Sequence, residues 1–136
     1  MRPKHIVVLL DSNEDNRAVL KFMIETRGFE ALTASSIPEA VLHCRHRNVR
    51  LVVAQLADAG HCGNPLVAQV KAINTDTTVL LLSDTVRAGE LAYTADAFLG
   101  KMQQTPANVF DRVKSLTARK RGPKSVRPVI AQELVG

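Results

Sequence analysis

Ile6-Val7-Val8-Leu9-Leu10-Asp11-Ser12-Asn13-Glu14-Asp15 joins five consecutive apolar residues to an acid and a polar turn. A continuous apolar run of strand length is the pattern of a strand buried on both faces, as in a parallel sheet covered by helices on either side. The run follows Met1-Arg2-Pro3-Lys4-His5, which gives it a superficial likeness to a signal peptide. It is too short for one, ends in acids and has no small-residue cleavage site, so a cytoplasmic protein is expected. It is also far shorter than the ~20 apolar residues of a membrane span.

Working outward, the same alternation recurs. Asn13–Arg27 carries Val19, Leu20, Met23 and Ile24 at helical spacing, with Gly28 just beyond, where a left-handed cap is wanted. Phe29–Thr33 reads as a second strand. Ser36-Ile37-Pro38-Glu39 has the pattern of a capping box and opens a helix that buries Ala40, Val41 and Cys44. Leu51–Ala54 reads as a third strand, and the loop 56–64 is punctuated by Gly60 and Gly63. A helix from Pro65 to Ile73 places Leu66, Val70 and Ile73 on one face. Thr78–Leu82 and Ala97–Gly100 read as the fourth and fifth strands. Between them 84–94 is weakly patterned, a short or ragged helix. Thr105-Pro106 starts a last helix with Val109, Val113 and Leu116 inward. Strands alternating with helices over short connections predict a doubly wound parallel α/β sheet with helices on both faces.

The 136 residues suit one domain with a full core. Residues 1–118 hold 13 Lys/Arg and 12 Asp/Glu, a net charge of +1, and form the predicted domain. Residues 119–136 are a basic tail with Arg119, Lys120, Arg121, Lys124 and Arg127 against Glu133. The overall charge of +5 thus describes the tail and not the folded body. The tail has no aromatic residue for base stacking and no reading helix, so specific DNA recognition is not expected, although nonspecific attraction to phosphates is a reading it allows. Cys44 and Cys62 read as reduced thiols. His43, Cys44, His46, His61 and Cys62 are better explained by a helix surface and a loop than by zinc.

Four apolar runs each stop at one polar residue: Asp11, Gln55, Ser83 and Lys101. In an open parallel sheet the carboxyl ends of the strands form the ligand crevice, which gathers these four at one place.

Residues 5–117 resemble the receiver domain of bacterial two-component response regulators. The likeness is carried in order by the acidic turn Asp11–Arg17, by Gly28–Ser36 with Glu39-Ala40, and by Ala95-Asp96-Ala97-Phe98-Leu99-Gly100-Lys101. The resemblance implies a flavodoxin-like sheet in the order 2-1-3-4-5. It also implies a magnesium ion held by two acids after strand one and by an Asp ending strand three, which accepts a phosphoryl group from a histidine kinase. A Thr or Ser ending strand four and a Lys ending strand five would contact the phosphoryl oxygens, and Phe98 falls at the switch aromatic. Asp11, Ser83 and Lys101 match this pattern. Ser12 stands at the second acid and Gln55 at the phosphoacceptor, and Met102 replaces the usual proline, so no cis peptide is expected there. The segment between Ser83 and Ala95 is shorter than in typical members by about one helical turn, which implies a shortened fourth helix.

Magnesium wants hard oxygen ligands, and an acyl phosphate needs a carboxylate nucleophile. Weak or absent magnesium binding and no phosphorylation at Gln55 are therefore expected. The leading reading is a stand-alone receiver-like module that binds a kinase, another regulator or a second copy of itself, and is not an enzyme. The alternatives are a conventional receiver using Asp58, three residues beyond Gln55, and a nucleic-acid-binding protein acting through the tail. Asp58, like Asp84, reads more simply as a solvent-facing loop acid. An Asp11–Lys101 ion pair is equally well read as a device holding one conformation or as a remnant of ancestry.

Overall fold

The computed structural model describes residues 4–83, 95–100 and 104–118. The expected helix over 84–94, with its shortening, and Asp84, Lys101, Met102 and the tail 119–136 lie outside the described residues. The elements are β1 (Ile6–Leu10), α1 (Glu14–Glu25), β2 (Glu30–Ala34), α2 (Ile37–His46) and β3 (Val49–Gln55). They continue with α3 (Asn64–Ile73), β4 (Thr78–Leu82), β5 (Ala97–Leu99) and α4 (Pro106–Ala118). Two 3-10 turns, Leu56–Asp58 and His61–Gly63, lie between β3 and α3. The strands form one sheet in the order β2-β1-β3-β4-β5, every pair parallel.

Successive side chains of a strand point to opposite faces, and the continuous apolar runs supply both. Val8, Leu10, Val52 and Leu81 face α2 and α3, where Ala40, Cys44, Leu66 and Val70 meet them. Val7, Leu9, Val53 and Leu80 face α1 and α4, against Ile24, Val113 and Leu116. Every one of these strand residues is at most 2% exposed. Among the described residues no helix is long and apolar enough to cross a membrane.

Two local expectations change. Glu39 turns back to Ser35 and not to Ser36: its Oε1 accepts from the Ser35 N–H at 2.9 Å and from its hydroxyl at 3.1 Å. These bonds hold the Glu39 carboxyl below its ordinary value of 4.5. Val19, placed in the core by its spacing, is 64% exposed. The stripe of α1 that meets the sheet is centred on Leu20, Met23 and Ile24, and Val19 sits about 100° away from Leu20 on the helix surface.

Side chains also reach the outer margin of β2. Lys21 Nζ, paired with Glu25 at 2.9 Å, donates to the Ala31 carbonyl at 3.3 Å. The Ala31 N–H lies 3.5 Å from Glu25 Oε2, and His43 Nε2 is 2.9 Å from the Thr33 carbonyl. At the other margin, Lys71 Nζ meets Asp96 Oδ2 at 2.8 Å, and the same oxygen accepts from the Val79 N–H at 2.8 Å.

Both cysteines are free thiols, Cys44 buried and Cys62 half-buried. Burial pushes the Cys44 thiol up to about 11, and the thiolate is the reactive form. Under native conditions near pH 8 an alkylating reagent is expected to modify Cys62 and spare Cys44, with both reacting once urea unfolds the chain. Intact mass before and after denaturation checks this.

Candidate functional site

The carboxyl ends of the strands are aligned by the ladder. Leu10 is level with Ala34 and Ala54, Gln55 with Leu82, and Leu82 with Leu99. Asp11, Gln55 and Ser83 therefore share one edge of the sheet, as the sequence predicts. Lys101, the fourth of the set, lies outside the described residues.

Asp11 is 4% exposed. Its main-chain N–H extends the ladder to Ala34 at 3.1 Å. Its Oδ1 accepts from the Asn13 N–H at 2.8 Å, and Arg17 Nη1 donates to its main-chain oxygen at 2.7 Å. Asn13 in turn caps α1, accepting from the Asn16 N–H at 3.0 Å. The other oxygen, Oδ2, is buried with no hydrogen-bond partner among the described residues. A buried carboxylate oxygen in that state calls for a donor or a cation.

Asp58 does not simply face solvent. The 3-10 turn after β3 carries it back over the crevice, and its Oδ2 accepts from the Ser12 N–H at 2.9 Å. Two carboxylates thus hold the β1–α1 turn, one on each of two successive main-chain N–H groups. Nothing in the spacing of residue 58 foretells this, because the direction of a short turn is set by its backbone. That backbone has Gly60 and Gly63 at φ +85° and +76° and Cys62 at +56°.

Gln55 ends β3 half-buried and lines a groove of about 230 Å³ between α1 and α4, together with Asn16, Met23, Leu82, Gln104 and Val109. Ser83 is buried, its N–H donating to the Leu99 carbonyl at 3.0 Å. Gln104, which sequence reading passes over, braces the ends of β4 and β5. Its Nε2 donates to the main-chain oxygens of both Ser83 and Leu99. Phe98 is half-buried and packs on the α2–α3 side of the sheet. Among the described residues no three His, Cys, Asp or Glu side chains gather as a metal site, and His43, Cys44, His46, His61 and Cys62 form none.

No family model matches the sequence, and no curated protein matches it. Solved structures do match. A response regulator receiver protein from Pseudomonas putida is 20% identical, with a TM-score of 0.72 over 85% of this chain and 99% of that one. An orphan response regulator of H. pylori is 21% identical, with a TM-score of 0.71 over 85% and 99%. A CheY-like receiver domain protein from Methanospirillum hungatei is 13% identical, with a TM-score of 0.74 over 85% and 94%. The fold is therefore the flavodoxin-like fold of CheY-like receiver domains.

The chemistry of the described donors poorly suits the magnesium ion that the sequence resemblance implies. Of the three positions that would supply carboxylates, only Asp11 has one, with one oxygen already accepting from Asn13. Ser12 offers a hydroxyl and Gln55 a neutral amide. Among the described residues Asp58 also brings a carboxylate to the crevice, and its Oδ2 accepts from the Ser12 N–H. Hard divalent cations favour carboxylates over such neutral donors.

Proposed function

We propose that the protein is a receiver-like signalling module that works through protein contacts and takes no phosphoryl group at the end of β3. The single observation that carries this reading is Gln55 as the last residue of β3, level with Leu82 at the carboxyl edge. An acyl phosphate forms by attack of a carboxylate oxygen on phosphorus. A carboxamide has no such oxygen, while its donor and acceptor atoms let it keep the shape of the pocket by hydrogen bonding. On this reading its partner is a histidine kinase or another regulator of two-component signalling, met in the bacterial cytoplasm, and the likeness in fold to receiver domains is what supports it. On this reading the protein is not an enzyme.

Incubation with acetyl phosphate or phosphoramidate and magnesium is expected to leave the intact mass unchanged. A stable phosphoryl adduct on any aspartate overturns the reading. One observation favours a second reading: Asp58 is held over the crevice and not turned away from it. An adduct abolished by Asp58→Asn establishes that reading in place of the first.

A further inference from the structure

Val19 and Phe22 stand 64% and 72% exposed on α1. At about 100° per residue, Asp15, Val19, Phe22 and Thr26 fall within about 60° of one another around the helix axis, so they form one strip along it. Asp15 and Thr26 are exposed as well. Val19 is also a wall of the α1–α4 groove, with Leu20, Met23 and Val109. The centre of the strip is thus apolar and opens on an apolar groove.

The two ends of the strip carry opposite charge. Asp15 lies in the first turn of α1. Arg27 follows the last turn, its Nη1 donating to the Met23 carbonyl at 3.1 Å and its guanidinium 4.8 Å from the centre of the Phe110 ring. Those contacts hold the guanidinium beside the groove without neutralising its charge. Neither Asp15 nor Arg27 belongs to an ion pair among the described residues, whereas Lys21 and Glu25 satisfy each other. The spacing makes the strip complementary to itself. Val19 and Phe22 straddle Leu20 and Lys21, and Asp15 and Arg27 are centred on Lys21. In an isologous contact residue i meets residue j of the second copy while j meets i. One twofold axis across the middle of α1 therefore sets Val19 against Phe22 and Asp15 against Arg27 at the same time. A parallel pairing would instead set Asp15 against Asp15 and Arg27 against Arg27.

We propose that two copies of this chain pair through α1, side by side and antiparallel. Phe22 of each copy packs on Val19 of the other at the mouth of the groove, and Asp15 of each faces Arg27 of the other at the two ends. The contact is apolar at its centre and charged at its rim, the usual order of an interface. One helix face falls well short of the roughly 20–30 residues a side of a standard interface, so the association is weak and reversed by dilution. A different protein that uses this face of α1 competes with the second copy. The inference does not depend on whether the domain accepts a phosphoryl group.

Sedimentation equilibrium of the full-length chain from about 10 to about 500 μM covers the range in which so small an interface forms and dissociates. The weight-average mass should climb from that of one chain toward that of two. Phe22→Asp or Val19→Asp, each at an exposed position that the core does not use, should hold it at one chain. Asp15→Arg and Arg27→Asp should each weaken association about tenfold or more, because each sets like charges together at both ends of the contact. An equimolar mixture of these two charge variants should regain the parent's association, since each supplies the charge the other lacks. Urea midpoints verify that every variant is folded. A parent that stays monomeric throughout overturns the proposal and leaves the strip to a different protein. Association that survives Phe22→Asp lies on another face and overturns it, as does a mixture of folded charge variants that associates no better than its components.

Discussion

Ser12→Asp combined with Gln55→Asp is expected to give a chain that binds magnesium and takes a phosphoryl group from acetyl phosphate, releasing acetate, where the proposed function has the parent do neither. The two substitutions add carboxylates at the turn after β1 and at the end of β3, on the same edge as Asp11. A divalent ion about 4 Å from a carboxylate gains about 8 kcal/mol at an effective dielectric of about 20, before desolvation. Even a minor share of that, about 2.7 kcal/mol, raises affinity on the order of a hundredfold. The sign without metal is the opposite. Added acids beside Asp11 and Asp58 repel one another, so the metal-free double variant should melt below the parent and recover on adding magnesium, as binding to the native state alone requires. Thermal melts with and without magnesium, followed by intact mass after acetyl phosphate, give both readouts. A double variant that neither recovers nor gains mass shows that the pocket differs from a working receiver at more than these two positions.

Gly63→Val should be strongly destabilising. Gly63 precedes α3 at φ +76°, a left-handed conformation that disfavours a branched side chain by roughly 1–2 kcal/mol. A Cβ there would meet Leu81 Cδ1 at 2.5 Å and Leu56 Cδ1 at 3.5 Å. Leu81 is fully buried near the carboxyl end of β4, so relief must come from the core itself, at a further cost of about 1–3 kcal/mol. The sum, about 2–5 kcal/mol, is a large part of the roughly 5–15 kcal/mol that holds a domain together. Gly28→Ala separates the two causes. It has φ +98° and nothing within 4 Å of its Cβ, so only the backbone penalty remains, about 1 kcal/mol. Urea unfolding of the two variants should place the midpoint of Gly63→Val far below that of Gly28→Ala. Equal midpoints would show that the contact with Leu81 relaxes freely.

The sheet was legible because its signal is long and physical. Apolar runs such as Ile6–Leu10 and Thr78–Leu82 have no polar face, and only a sheet covered on both sides buries them. Gln55 was legible as a strand end for the same reason: it is the first polar residue after such a run. What the sequence leaves open depends on directions that spacing does not encode. Asp58 sits in a turn whose backbone decides where its carboxylate points. The amide of Gln104 braces β4 and β5 only because the chain returns over their ends. Val19 illustrates the limit of periodicity: an apolar residue at roughly helical spacing faces the core only within the narrow stripe the sheet can cover. The capping box at Ser36 was found in the right place, although its acid closes on the residue before.

The bonds at the margins of the sheet bear on how this protein associates. The outer strand of a parallel sheet ordinarily exposes main-chain N–H and C=O groups that can template another strand. On β2 the Ala31 and Thr33 carbonyls are taken by Lys21 and His43, and the Ala31 N–H points at Glu25. The opposite outer strand, β5, is three residues long and is preceded by Asp96, pinned to Lys71. Among the described residues, β2 therefore offers no free row of carbonyls for strand addition, and β5 offers only a short one. On its β2 side the sheet is thus poorly disposed to β-augmentation, which makes helix faces and loops the better surfaces for recognition there.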